Sequence, residues 1–150
     1  MQQQQQRLTI PTQGQGLYEF TAEAKAFVER SGVRSGLLTL FCRHTSASLL
    51  IQENADSQVQ RDLMEFFRRI IPEDSPWIVH REEGPDDMPA HIKTALTQSS
   101  LSIPIADARL ALGQWQGIYL FEHRSRKHSR EILMHVIGSW DDDPIRHARA

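Results

Sequence analysis

Apolar positions along this chain change their period several times, and each change marks an element. Val59, Leu63, Phe66, Phe67 and Ile70 recur at helical spacing, so the stretch from Asp56 to Ile71 predicts an amphipathic helix that Pro72 stops. Alternation from Gly36 to Cys42 puts Leu38, Leu40 and Cys42 on one face of a strand. If that strand runs on unbroken, the same face carries His44, Ser46 and Ser48. Trp115 to Glu122 and Ile132 to Ile137 predict the last two strands, joined by a basic turn from Arg124 to Arg130. In the second of them His135 alternates with Leu133 and Ile137, which predicts a packed strand residue. Weaker signals add strands at Arg7 to Ile10, Leu17 to Phe20 and Ser102 to Ile105. A helix over Ala22 to Arg30 has Thr21 as its expected N-cap and Gly32 as its C-cap. A further helix starts at Pro89 and continues to about Thr97, with Asp86 and Asp87 at its positive end. Strands and helices interleave with hairpin signals. The expected fold class is therefore α+β, a single domain with a mixed or antiparallel sheet and two to three helices.

Composition sets the boundaries of that domain. The run Gln2 to Gln6 is of low complexity and predicts a flexible start over residues 1–6, with the domain over 7–140 and a solvated polar tail over 141–150. The 150-residue length suits one core, and 39% hydrophobic with 24% charged residues is ordinary globular usage. A net charge of −2 argues against a dedicated nucleic-acid binder. Cys42 is the only cysteine, which excludes an intramolecular disulfide and points to a reducing compartment. No apolar run is long enough to span a bilayer, and the start has no secretory pattern, so no membrane partner and a cytoplasmic location are expected.

Candidate chemistry gathers at four histidines whose neighbours are small, polar or charged. His44 leads His-Thr-Ser-Ala-Ser, followed by Glu53-Asn54, and hydroxyls beside an imidazole can hold phosphate oxygens or orient metal ligands. Neither serine lies in a Gly-x-Ser-x-Gly elbow, so a serine hydrolase is a poor match. His80 and His91 bracket a loop, Pro72 to Asp87, that is rich in acidic residues and prolines. Carboxylates and imidazoles this close in sequence suit a divalent metal or acid–base work. Pro85 and Pro89 keep the two histidines off one helix face. His123 ends an apolar strand in Glu122-His123-Arg124, and Arg124 and Arg130 suit phosphate oxygens.

The stretches Phe41 to Asp56, Glu82 to Lys93, Ser99 to Pro104 and Leu110 to Arg124, closed by Ser129-Arg130, resemble the YjbQ-like family in order and spacing over nearly the whole chain. Lys127-His128 departs from a glycine pair common in relatives, and Pro85 stiffens the acidic loop. The resemblance implies an α+β domain, a homotrimer and a weak, secondary thiamine phosphate synthase activity. That reaction joins a pyrimidine diphosphate to a thiazole phosphate and releases pyrophosphate. The expected function is thus an enzyme acting on a small phosphorylated metabolite with a divalent cofactor, zinc, magnesium or manganese. His44, His91 and His123 are assigned as metal ligands, and His80, Asp87 and Glu122 as acid–base or supporting groups. Thr45, Ser46, Ser48, Asn54, Arg124 and Arg130 are assigned to the substrate. The alternatives are a metal-assisted hydrolase of a small phosphoester and a non-catalytic trimer that binds a metal or an anionic metabolite.

Overall fold

Two antiparallel sheets and three helices account for residues 1–140, which the computed structural model describes. In chain order the elements are β1 (Gln2–Thr12), β2 (Gly16–Glu19), α1 (Thr21–Ser31), β3 (Ser35–Cys42), β4 (Ala47–Glu53) and α2 (Ser57–Ile70). They are followed by α3 (Asp87–Leu96), β5 (Ser100–Ala106), β6 (Arg109–Leu110), β7 (Gln116–Glu122) and β8 (His128–Ser139). The larger sheet has the order β1-β8-β3-β5-β6 and the smaller one β2-β7-β4. The expected α+β class holds, and every strand pair among the described residues is antiparallel. The polar tail predicted over 141–150 lies outside the described residues.

Strand alternation decides which side chains are enclosed. Leu38, Leu40 and Cys42 of β3 join Ile132, Met134 and Val136 of β8 and Leu101, Ile103 and Ile105 of β5 in one cluster. Ala47 and Leu49 of β4, Ile118 and Leu120 of β7, and Ala24, Phe27 and Val28 of α1 complete it. The opposite face of the large sheet carries Leu37, Phe41 and Ile137 at 36%, 46% and 36% exposure, with Leu133 and His135 between them. His135 is therefore a half-buried member of an outward apolar face, not of the core. The sheet also has one forced close approach. A Cβ at Gly36 would stand 2.2 Å from the Ile137 carbonyl oxygen, and one at Gly138 would stand 2.3 Å from that of Ser35. These two glycines are register partners, so β3 and β8 meet there backbone to backbone.

Three expectations need correction. The glutamine run is no frayed start: it is the first half of β1, paired with β8 from Gln2↔Gly138 onward. Backbone groups complete the sheet there, so the exposed side chains matter little, although Gln5 bonds His135 and Gln6 accepts from Arg30. The strand through Cys42 does not run on, because the chain turns and β4, missing from the sequence reading, begins at Ala47 in the other sheet. Thr21 is not an N-cap. It is buried as the first residue of α1, and its hydroxyl donates to Glu19 and accepts from the Ile118 N–H. Asp56 does cap α2, accepting from the Gln58 N–H.

Candidate metal centre

Helical periodicity places Asp87 and His91 one turn apart on α3, on the same face. The acidic loop brings His80 and Glu83 to that face. Arg81 folds the loop on itself, its guanidinium donating to the Ile78 and Ser75 carbonyls. Gly84, at φ 106°, makes the reversal into α3 that a residue with a Cβ would resist. Together these constraints put one ligand atom each from His80, Glu83, Asp87 and His91 within 4.8 Å of one another. Among the described residues this is the one grouping of three or more such side chains at that spacing.

Hydrogen-bond partners fix the state of each member. His80 Nε2 donates to Asp87 Oδ2 at 2.7 Å, and that bond, against burial, holds the His80 pKa above its ordinary value. His91 Nδ1 lies 2.8 Å from the Thr45 carbonyl, which can only accept, so Nδ1 carries a proton. Its Nε2 then points at Asp87 Oδ2, 3.1 Å away. Two lone pairs facing each other at that distance need a proton or a cation between them. Asp87 is 1% exposed, and burial alone would raise its pKa. Its bond to His80 and the nearby Arg124 charge hold it below the usual range instead. Arg124 braces the cluster from behind, donating to Asp86 at 3.0 Å, to Asp87 at 2.7 Å and to the Glu83 carbonyl at 2.8 Å. Glu83, Asp86 and Asp87 outnumber that one guanidinium by two negative charges, which a divalent cation would match.

Other residues selected from the sequence have different duties. His44 Nε2 accepts from the Glu131 N–H at 2.7 Å, so the lone pair a metal would need is already occupied. Burial and the Arg130 charge lower its pKa, which keeps the ring neutral. His123 is 1% exposed, bonded to Ser48 at 2.8 Å and set edge-on against Phe121. Of the three expected ligands, only His91 belongs to the cluster, because partners distant in sequence enclose the other two. Glu122 is fully enclosed, and its carboxylate accepts from Thr12, both Arg130 nitrogens and the His123 and Arg124 N–H groups. It holds the fold together and has no acceptor free for acid–base work.

All three guanidinium nitrogens of Arg124 are held, by Asp86, Asp87 and the Glu83 carbonyl, whereas Arg130 is held through Nε and Nη2 by Glu122 and Ser46 and lines an open cleft of about 550 Å³ with His44, Thr45 and Ser46. Ser48 serves His123 and Thr97. Thr45 reaches the cluster through its backbone, while Asn54 sits past the far end of β4, bonded to Glu19. Burial pushes the Cys42 thiol up to about 11, so it is no nucleophile at neutral pH. The acidic loop is legible as a stretch, but the selection of Glu83 and the place of Asp87 in the cluster are not drawn from it, although Asp-x-x-x-His at the start of a helix is a usable signal. Lys93, buried on α3, was missed altogether.

Fold and site define a small antiparallel α+β domain with a histidine–carboxylate cluster at the start of one helix. Residues 6–139 match the family model described as UPF0047 protein YjbQ-like, and the chain belongs to that family. It is 54% identical to UPF0047 protein sll1880 of Synechocystis sp., over 91% of this chain and 92% of that one. It is 39% identical to UPF0047 protein YjbQ of Escherichia coli O157:H7, over 89% and 97%. A crystal structure of an uncharacterized YjbQ/UPF0047 protein from Clostridium acetobutylicum matches with a TM-score of 0.81 at 33% identity, covering 87% of this chain and 98% of that one. No helix among the described residues is long and apolar enough to cross a membrane.

Proposed function

We propose that this chain is a metal-dependent enzyme acting on a phosphorylated small molecule, with His80, Glu83, Asp87 and His91 as the ligand set. The observation that carries the reading is His91, whose Nδ1–H is committed to the Thr45 carbonyl while its Nε2 faces the Asp87 carboxylate at 3.1 Å. A ligating histidine is commonly oriented in this way. Two imidazoles and two carboxylates favour zinc or manganese over magnesium, which prefers oxygen donors throughout. A bound divalent ion would supply positive charge against phosphate or diphosphate oxygens. The protein's own part is to hold the ligands at fixed geometry, with Arg124 and the Thr45 carbonyl as braces. The reaction we propose is thiamine phosphate formation, which the resemblance implies, in which the thiazole nitrogen bonds to the pyrimidine methylene carbon as its bond to the diphosphate oxygen breaks.

Zinc titration by calorimetry tests the site. The wild type is expected to bind near one equivalent. His91→Ala should lose at least the roughly 10–100-fold that removal of an orienting partner costs, while its circular dichroism stays native. Affinity should rise with pH, because the proton that Asp87 helps His80 retain must leave before zinc can bind. Equal zinc affinity in the two proteins would end the assignment. With the metal in place, pyrophosphate release that requires the thiazole phosphate supports the synthase. Phosphate release without it indicates a hydrolase, and binding without turnover over a broad substrate panel indicates a carrier.

The homotrimer belongs to the same proposal, supported by the outward apolar face around Phe41 and Ile137. Light scattering should return three times the chain mass, and Phe41→Asp should lower it. A monomeric mass for the wild type would remove the trimer.

A further inference from the structure

Lys93 lies on α3 with only 6% of its surface exposed, yet among the described residues its ammonium makes no hydrogen bond and no ion pair. The nearest acidic influences are Glu73 and Asp86, and neither is in contact with it. Asp86 is already spent on Arg124 and the Ser125 N–H. Glu73 is exposed at the rim of a cleft of about 340 Å³ that Lys93 lines together with Gln15, Arg68 and Asp74. Arg68 is half-committed: its Nε and Nη2 are held by Glu65, which leaves Nη1 unspent. Gln15 is anchored through Nε2 to the His123 carbonyl, and its Oε1 remains available as an acceptor.

The Lys93 stem is buried while its ammonium opens onto this cleft, where no described residue pairs it, and a cation held in that way favours an anionic ligand. Among the described residues no anion lies at contact distance of Lys93, so a ligand is the natural source. We infer that this cleft binds the oxyanion head of a small molecule, phosphate or carboxylate, on Lys93 with Arg68 as the second cation. The ammonium is a compact charge with three donors, which suits a tetrahedral phosphate. Glu73 and Asp74 at the rim favour ligands whose remainder carries hydroxyl or amine donors. The inference does not rest on the metal centre. It supplies a free cation that Arg124, held at all three nitrogens, does not.

Calorimetry with inorganic phosphate and with acetate, on the full chain in the presence of a chelator, tests it apart from any metal. Wild type should bind phosphate saturably, and Lys93→Met should bind at least about tenfold more weakly, as loss of a charged hydrogen bond implies. Acetate bound in place of phosphate would assign the carboxylate arm. Phosphate should raise the melting temperature of the wild type and leave that of Lys93→Met unmoved. In phosphate-free buffer the variant should melt no lower than wild type, because it keeps the apolar stem and removes a charge that no described residue pairs. Equal phosphate affinity in the two proteins overturns the inference, as does wild type that binds neither anion. A variant that melts several degrees lower without ligand overturns it too, since Lys93 would then be a structural contact.

Discussion

Arg130→Met should lower the stability of this protein by about 3–5 kcal/mol, the cost of leaving a buried charge without its partner. Arg130 is 4% exposed and Glu122 is fully enclosed. The guanidinium reaches one carboxylate oxygen at 2.7 Å and the other at 2.5 Å. Burial alone would raise the Glu122 pKa, but the Arg130 and Thr12 bonds hold it low, so the folded protein keeps a carboxylate there. Removing the arginine strands that carboxylate beneath β8. Adding Glu122→Gln should restore part of the loss, because the amide carries no charge to solvate. Urea denaturation of wild type, both single variants and the double variant measures the coupling. If Arg130→Met left the urea midpoint in place, the pair would be a passive contact.

The second large effect is acid sensitivity centred on His123. Burial, with the Lys93 and Arg130 charges adding to it, lowers this pKa from 6.5 to about 3. Below pH 6.5 the unfolded chain takes up a proton that the folded protein refuses until about pH 3. Stability is therefore present above the upper value and is lost as pH falls through that window, at about 1.4 kcal/mol per pH unit for one proton. By pH 4.5 the loss reaches about 3 kcal/mol. His44, also lowered, acts in the same direction, and His80, raised, acts in the opposite one. The comparison is therefore between wild type and His123→Gln, whose slope between pH 6.5 and 4.5 should be shallower by one proton. Identical slopes would show that His123 is protonated in the folded state.

Periodic signals carried most of the fold, and the exceptions share a cause. The α2 helix, the helical start at Asp86 to Pro89 and strand β7 all read correctly because their burial pattern is local. The β4 strand is not legible because Leu49 to Ile51 is a short apolar run without alternation behind a run of small, mostly polar residues, and only pairing with β7 reveals it as a strand. The β1 strand was dismissed on composition, although what holds the glutamines is the backbone edge of β8. The candidate site divides in the same way. Residues 80–91 are recognisable in sequence as a run of imidazoles and carboxylates, and Asp87 and His91 one turn apart are visible in principle. Which histidines keep a free lone pair was not visible. His44 loses its own to Glu131, and His91 is oriented by Thr45, so both outcomes depend on contacts across the fold. Arg124 shows the same limit: a cationic side chain in sequence does not reveal whether a carboxylate elsewhere already holds it.

The ligands of the candidate metal centre all come from residues 80–91, while the struts that aim them, Thr45 and Arg124, come from the turn before β4 and the end of β7. Composition of the centre is thus a local property of one short segment, and its orientation belongs to the assembled sheets. A peptide spanning that segment would keep every donor atom and lose the aim. Changes at Thr45 that move its carbonyl, or packing changes under β7 that shift Arg124, would detune the centre without touching a ligand. Variation at those two struts is therefore expected to change the geometry of the cluster even where its four side chains stay the same.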